Sequence, residues 1–374
     1  MVSRPLVVCS LEAWDDVWRR NQFLIAGLLD RDPDLEVLFI EPSSDLLNEA
    51  RLGRRPRMGA GLRTIPGPWA DRLLALQPTK WFPRVFGPAA DRLLRRAAVA
   101  AVRRLRWSDP LLWINDPGWA GLVDATGWPT VYDITDDWLR ADRGEREHQR
   151  LVANEAELMR LASEVVVCSP ELERVKGADR VVSLIPNAVD VQRFRTPRPR
   201  PADLPTGPVA VYAGTLHEDR LDVGLILATA DALERVGHGH IVFVGPNALH
   251  PANSARLNDH QRVTLLGSRP HEQVPGYLQH GATLIVPHIV DAFTDSLDPI
   301  KLYEYLAVGR PVISTPVAGF RERAGDGLTV VQDAEFAAAV VKQVTEPGQA
   351  RVNADVPDWS DRVSAMATVI DRLA

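Results

Sequence analysis

The chain has 374 residues, 45% hydrophobic and 25% charged, which describes an ordinary globular protein with room for two domains. No stretch approaches the roughly 20 apolar residues needed to span a bilayer, and MVSRPLVVCSLEAW carries too short an apolar run for a signal peptide. The two cysteines, Cys9 and Cys168, end strand-like runs and read as buried thiols of a reducing cytoplasm, not as a bridge or metal site. The net charge of −6 conceals an asymmetry: residues 51–106 hold 14 Lys or Arg against only Asp71 and Asp91. That block calls for an anionic partner.

Taken in order, PLVVC (5–9) reads as a first strand, 21–29 as part of a first helix and 35–40 as a second strand, the opening of a doubly wound α/β domain. The loop between strand and helix, SLEAWDDVWRRNQ, has no G-x-G-x-x-G, so a dinucleotide-binding dehydrogenase is not expected. Asp91 to Trp107 follows as an amphipathic helix, with Leu94, Ala98, Ala101 and Leu105 on one stripe and Arg92, Arg95, Arg103 and Arg106 on the other. Trp69, Trp81, Phe82 and Phe86 precede it. Two readings stand: a surface touching anionic lipid headgroups, or a solvated arginine face with the aromatics packed beneath. Nucleic acid is not expected, because no recognition motif is present and the whole chain is acidic.

LLWIN (111–115) and TVYDI (130–134) are further strands, and the second runs into TDDW. Asp133, Asp136 and Asp137 thus gather at the carboxyl end of a strand. Carboxylates there suit a general base toward an acceptor hydroxyl, with Asp136 first and Asp133 second. They also suit a Mg²⁺ or Mn²⁺ site, but Asp133 and Asp136 are too far apart for an Asp-x-Asp pair, and no metal is expected. Helix capping or loop solvation is the competing role.

VVVCS (165–169) and VSLIPNAVDVQRF (182–194) close the first half. RTPRPRPADLPTGP (195–208) is proline-rich and aperiodic, a linker. The α/β pattern then restarts with VAVYA (209–213), followed by Gly214, whose amide can approach a phosphate closely. IVFVG (241–245), VTLLG (263–267), GATLIVPH (281–288) and PVIST (311–315) are the later strands. Between the last two lies DPIKLYEYLAVGRP, a short helix with marked ends. Asp298 is its expected N-cap, Pro299 its first residue and Gly309 its left-handed C′ position. A helix start of this kind binds phosphate through free amides and the positive dipole end. Lys301 adds a charge, and Glu304 offers two acceptors to sugar hydroxyls.

The sequence PIKLYEYLAVGRPVISTPVAG resembles the donor motif of GT-B glycosyltransferases of the group 1, or family-4-like, set. VSLIPNAVDVQRF is similar to that set's I-P-N-G-V-D…F segment, with Ala188 in place of the usual Gly. The likeness is carried by 287–316 and 183–194 and extends more weakly over 209–245 and 263–288. It implies two Rossmann-like domains with parallel sheets facing a cleft: 1–194 on the acceptor side, joined by the last helix (357–374) crossing back, and 209–356 on the donor side. It implies a metal-independent transferase moving a sugar from a UDP, GDP or dTDP donor to a glycan, lipid-linked or small-molecule hydroxyl, with no prosthetic group. By the resemblance Lys301 meets the phosphates, Glu304 the ribose, Arg269 the nucleobase and Gly214 the diphosphate. Ser296 stands where many retaining members carry a first Glu near the transferred sugar. The expected location is the cytoplasm, with 51–106 as a peripheral membrane contact. An epimerase of the same fold and a non-catalytic, membrane-associated binding protein are the alternatives.

Overall fold

A computed structural model describes residues 4–51, 53, 55–81, 89–140, 144–325, 327–351, 353 and 355–373. Phe82 and Phe86 lie outside the described residues. The chain divides into two compact units, one of residues 1–15, 20–186 and 362–374, the other of 16–19 and 187–361.

Unit 1 opens with β1 (Leu6–Cys9), α1 (Arg20–Arg31) and β2 (Val37–Ile40), as the apolar runs required. Then come β3 (Ser44–Asp45), α2 (Leu46–Arg51), β4 (Gly61–Thr64), β5 (Leu73–Gln77) and β6 (Thr79–Lys80), of which β4 and β5 extend the main sheet and β3 and β6 form a separate small pair. Next come α3 (Ala89–Arg104), β7 (Leu111–Ile114), α4 (Ala120–Thr126) and β8 (Thr130–Ile134). The unit's sequential run ends with α5 (Glu145–Leu161), β9 (Glu164–Val167), α6 (Pro170–Lys176) and β10 (Ser183–Leu184). The sheet order is β10-β9-β8-β7-β1-β2-β5-β4, parallel except for β4 against β5. β1, β2, β7 and β8 are buried at every residue, which is why their sequences show unbroken apolar runs and not alternation. Val363 packs so tightly over Gly27 of α1 that a Cβ there would fall 2.3 Å from its Cγ2.

Unit 2 begins with α7 (Val191–Arg195) and β11 (Val209–Ala213), then β12 (Leu216–His217), α8 (Val223–Arg235), β13 (His240–Val244) and β14 (Asn247–Ala248). It continues with α9 (Pro251–Asn258), β15 (Val263–Gly267), α10 (Val274–Gln279), β16 (Thr283–Val286) and α11 (Ile300–Val308). β17 (Val312–Ser314), β18 (Leu328–Val330) and α12 (Asp333–Thr345) follow, and the last helix, α13, runs from Trp359 to Asp371. The all-parallel order β15-β13-β11-β16-β17-β18 is a 3-2-1-4-5-6 arrangement, with its reversal between β11 and β16. Ligands of such sheets sit beyond the carboxyl ends of the strands at that reversal. Gly214 follows β11 and Lys301 follows β16, so the sheet order itself brings them together.

The expected linker, 195–208, belongs to unit 2 and is bound to it throughout. The Arg198 amide donates to Gln279, His280 Nε2 contacts the Arg198 carbonyl, and Asp203 accepts from Arg269 and Tyr277. Proline richness here marks a fixed strap, because extended prolines lose little entropy on docking.

Asp298 does not cap α11. The N-cap is Pro299, with no side-chain cap bond. The Asp298 carboxylate accepts the Asn187 amide at 2.5 Å and the Tyr303 hydroxyl at 2.7 Å, so it clamps the IPNAVD turn to the helix instead. The far end is as expected: Gly309 is left-handed at φ 71°, and a Cβ there would lie 1.9 Å from the Arg351 carbonyl oxygen. Gly309→Ala should therefore destabilise unit 2 by about 1–3 kcal/mol or more from backbone strain alone. Denaturant unfolding checks it, and an unchanged midpoint would show that 351 gives way freely.

Candidate functional site

Two side chains of α11, one turn apart, fasten it to the end of β11. The Tyr305 hydroxyl accepts the Ala213 amide at 3.0 Å, and Lys301 Nζ donates to the Tyr212 hydroxyl at 2.6 Å while lying 4.2 Å from the centre of that ring. Lys301 is thereby set beside Gly214, where a Cβ would come within 3.3 Å of its Nζ. Gly214 in turn meets Gly245 backbone on backbone: a Cβ on Gly245 would fall 2.2 Å from the Gly214 oxygen. Both glycines have positive φ, 133° and 150°, so bulk and conformation alike require Gly.

The loop after β11 is laced to the end of β16. The Asp222 amide donates to the Pro287 carbonyl and the Ile289 amide to the Arg220 carbonyl, both at 2.8–2.9 Å. The short β12–β14 pair is a separate two-stranded sheet just after β11 and β13, and it holds His217. Arg220 lies 5.4 Å from the ring centre of Phe293, and the buried His288 contacts the Tyr212 hydroxyl through Nε2 at 3.2 Å.

This edge collects basic side chains away from bulk water. Removal from water, aided by the Arg220 cation and opposed in part by Glu304, lowers the Lys301 pKa from 10.5 to about 7. Desolvation, then Arg220, likewise brings His217 down to about 4, and His288 is pushed well below its usual value. Glu304 is raised to about 7 by desolvation, offset in part by Lys301. Both Lys301 and Glu304 keep some accessible surface, yet enough protein rings them for dehydration to dominate. Among the described residues no hydrogen bond or ion pair engages Glu304. Chemically, this is a receptacle for a polyanion beside an unused carboxylate acceptor.

Other residues singled out from sequence fall elsewhere. Ser296 is fully buried and donates to the Phe293 carbonyl at 2.7 Å, while Thr294 turns into its own loop toward Asp291. Arg269, expected at a nucleobase, is held by Asp203, the Tyr277 hydroxyl and the Leu266 and Ser268 carbonyls. Its guanidinium secures the 195–208 strap. Tyr212 went unnoticed in the sequence, since a tyrosine in VAVYA looks like any core residue.

In unit 1 the three aspartates have three fates. Asp133 is fully buried and saturated: Arg20 meets both its oxygens at 3.1–3.2 Å, and Trp113 Nε1 and Asn115 Nδ2 add bonds at 3.2 and 3.1 Å. Asp137 is buried between Lys176 at 2.9 Å and Arg140 at 3.1 Å, with Glu155 on the same lysine at 2.6 Å. Asp136, between these two anchors, is half-buried and accepts from the Thr135 hydroxyl at 3.2 Å. Asp133, the second choice for a base, is occupied as a structural anchor.

Comparison with known proteins agrees with the fold. Residues 207–346 match the family model Glycosyl transferases group 1. TuaH of Bacillus subtilis (strain 168), a protein assigned as a teichuronic acid biosynthesis glycosyltransferase, is 24% identical over 220 residues, 54% of this chain and 55% of that one. The alignment thus spans about half of that relative. Among solved structures, sucrose-phosphate synthase from Thermosynechococcus elongatus superposes over 99% of both chains with a TM-score of 0.71 at 18% identity. Anabaena HepE in complex with UDP-glucose covers 99% of this chain and 100% of its own, with a TM-score of 0.61 at 14% identity. These likenesses establish the GT-B fold, two Rossmann-like units with parallel sheets.

The chain has four lysines, 80, 176, 301 and 342, so the charge on Lys301 can be watched directly. With its folded pKa of about 7 below the unfolded 10.5, the unfolded chain binds that proton first. Lys301 therefore costs stability increasingly as pH falls from 10.5 toward 7, and the cost is full below that. In ¹³C-methyl-labelled protein, one lysine signal should titrate near pH 7, vanish in Lys301→Arg and move upward with added pyrophosphate. Titration of all four near 10.5 would refute the desolvated site.

Proposed function

We propose that the chain is a group 1 glycosyltransferase, in keeping with its GT-B fold and the family match over residues 207–346, and that it transfers a sugar from a nucleoside-diphosphate sugar to an acceptor hydroxyl. The observation carrying this is the pairing at the β11–β16 reversal: a desolvated Lys301 beside Arg220, with the unengaged carboxylate of Glu304 one turn along the helix. A diphosphate supplies the counter-charge that Lys301 lacks among the described residues, and ribose hydroxyls supply the donors Glu304 lacks. The uncapped start of α11 adds its dipole, and the Gly214 backbone leaves room for close approach. As the glycosyl bond breaks, negative charge grows on the leaving diphosphate. Lys301 and Arg220 then stabilise the products more than the reactants, the part a metal plays in other transferases.

A UDP-sugar is the first donor to try, because HepE is described with UDP-glucose and an E. coli trehalose-6-phosphate protein with UDP-2-fluoro glucose. A glycan or glycolipid hydroxyl is the proposed acceptor, in keeping with the biosynthetic assignment of TuaH. Asp136 is the proposed base, since Asp133 and Asp137 are neutralised by buried cations on either side. Two buried free cysteines fit a cytoplasmic enzyme, and among the described residues no helix is long and apolar enough to cross a membrane. An epimerase is the weaker reading, because the family match is to glycosyl transferases.

Thermal unfolding in EDTA with UDP, GDP, dTDP and CDP tests the donor site. One nucleotide should raise the midpoint, and Lys301→Ala should weaken its binding by about 1.5–3 kcal/mol, a lost charge-assisted contact. Stabilisation by none of them, with or without metal, would overturn the reading. Asp136→Asn should cut turnover by about 10²–10⁴-fold while leaving nucleotide affinity unchanged in calorimetry. Near-normal turnover would remove Asp136 from the chemistry.

A further inference from the structure

One surface of unit 1 combines what globular surfaces keep apart. Leu47, Met58, Trp81 and Leu93 are 48%, 63%, 49% and 38% exposed, four of the largest apolar side chains left in water. Hydrogen bonds gather them into one layer. β3 pairs with β6, the Ser44 hydroxyl donates to the Arg57 carbonyl, the Gly59 amide to Thr79, and α3 packs against β6. α2, which carries Leu47, has no buried residue at all, so its leucines do not serve the core.

Exposed arginines are carried by the same segments as these side chains. On α3 the buried positions Leu94, Ala98, Ala101 and Val102 face inward. At 3.6 residues per turn, Arg92, Arg96 and Arg103 fall within about 40° of one another on the outer side, with Leu93 and Arg104 on the next strip. All are exposed, as are Arg51 and Arg57. Arg95, grouped with this face by the sequence pattern, instead lies over Gly121, where a Cβ would be 1.8 Å from its Nη1. Nearby acids are already engaged: Asp45 pairs with Lys80 at 2.6 Å, and Glu49 accepts the Arg57 amide. Among the described residues no ion pair holds Arg92, Arg96 or Arg103.

We infer that this face, from α2 and β6 to the outer side of α3, docks on an anionic phospholipid bilayer. Guanidinium groups answer the headgroup charge, and Leu47, Met58, Trp81 and Leu93 enter the interface to shed their exposed area. Nucleic acid fits less well, because a phosphate backbone gives leucine and methionine nowhere to bury.

Co-sedimentation of the full chain with vesicles of phosphatidylglycerol and phosphatidylcholine, against phosphatidylcholine alone, tests this. Binding should require phosphatidylglycerol and weaken with salt. It should fall by about tenfold or more both in Arg92→Glu/Arg96→Glu/Arg103→Glu and in Leu47→Ser/Met58→Ser/Trp81→Ser. Thermal unfolding and nucleotide binding by unit 2 show that each variant is folded. Absence of binding to anionic vesicles would overturn the inference. So would binding that the apolar variant leaves unchanged, or equal retention on heparin that depends on the arginines alone.

Discussion

The hydrogen bond from Lys301 to the Tyr212 hydroxyl, at 2.6 Å, fixes the start of α11 against the end of β11, and the rest of that sheet edge is arranged around it. An ammonium group removed from water either loses its proton or finds a counter-charge. Here the protein supplies a phenol, an aromatic face and a second cation, Arg220, but among the described residues no carboxylate within ion-pair reach. A surface lysine under no functional demand would be solvated or salt-bridged. The glycines at 214 and 245, the Tyr305–Ala213 bond and the lacing of 220–222 to 287–289 all hold the backbone close around this under-compensated charge. The proposed diphosphate would supply the missing counter-charge, and folding has already ordered the groups that would meet it.

What the sequence disclosed and what it hid divide by range. α11, its left-handed Gly309 and the parallel strands were legible because their causes are local: apolar runs, a proline before and a glycine after. The position of Lys301 and Glu304 on one helix face follows from spacing alone. Two of the side chains that fell elsewhere found partners far along the chain. Asp298 has the composition of an N-cap but is taken by Asn187, 111 positions earlier. Arg269 is taken by Asp203, 66 positions earlier, inside a strap that looked like a free linker. Local propensity sets which bonds a side chain is able to make, and tertiary packing decides among them.

The TDDW aspartates carry the same lesson in energetic form. In sequence they are three equivalent carboxylates, whereas in the fold two of them are buried counter-ions. Removing one partner of such a pair costs about 3–5 kcal/mol, because an unpaired charge remains. Arg20 lies 113 residues from Asp133, and Lys176 lies 39 from Asp137 and 21 from Glu155, so no local pattern announces either network. Their joint effect is to hold both flanks of Asp136 while leaving that residue only half-buried. Rigid flanks around one accessible carboxylate are what a positioned base needs.

The chain has 43 basic residues and only four lysines, so lysine at 301 departs from a strong arginine habit. Guanidinium remains charged at any ordinary pH and spreads its charge over a plane. It suits the outer face of α3, where permanent charge in water is cheap. At 301 a compact ammonium fits over the Tyr212 ring and beside Gly214, and it can give up its proton when no anion is present. That last property bears on turnover. A site that bound diphosphate through fixed charges alone would hold the product as firmly as the donor. With Lys301 near its midpoint at neutral pH, departure of the proposed diphosphate product would be accompanied by loss of a proton, and the charge that held it would weaken as it left.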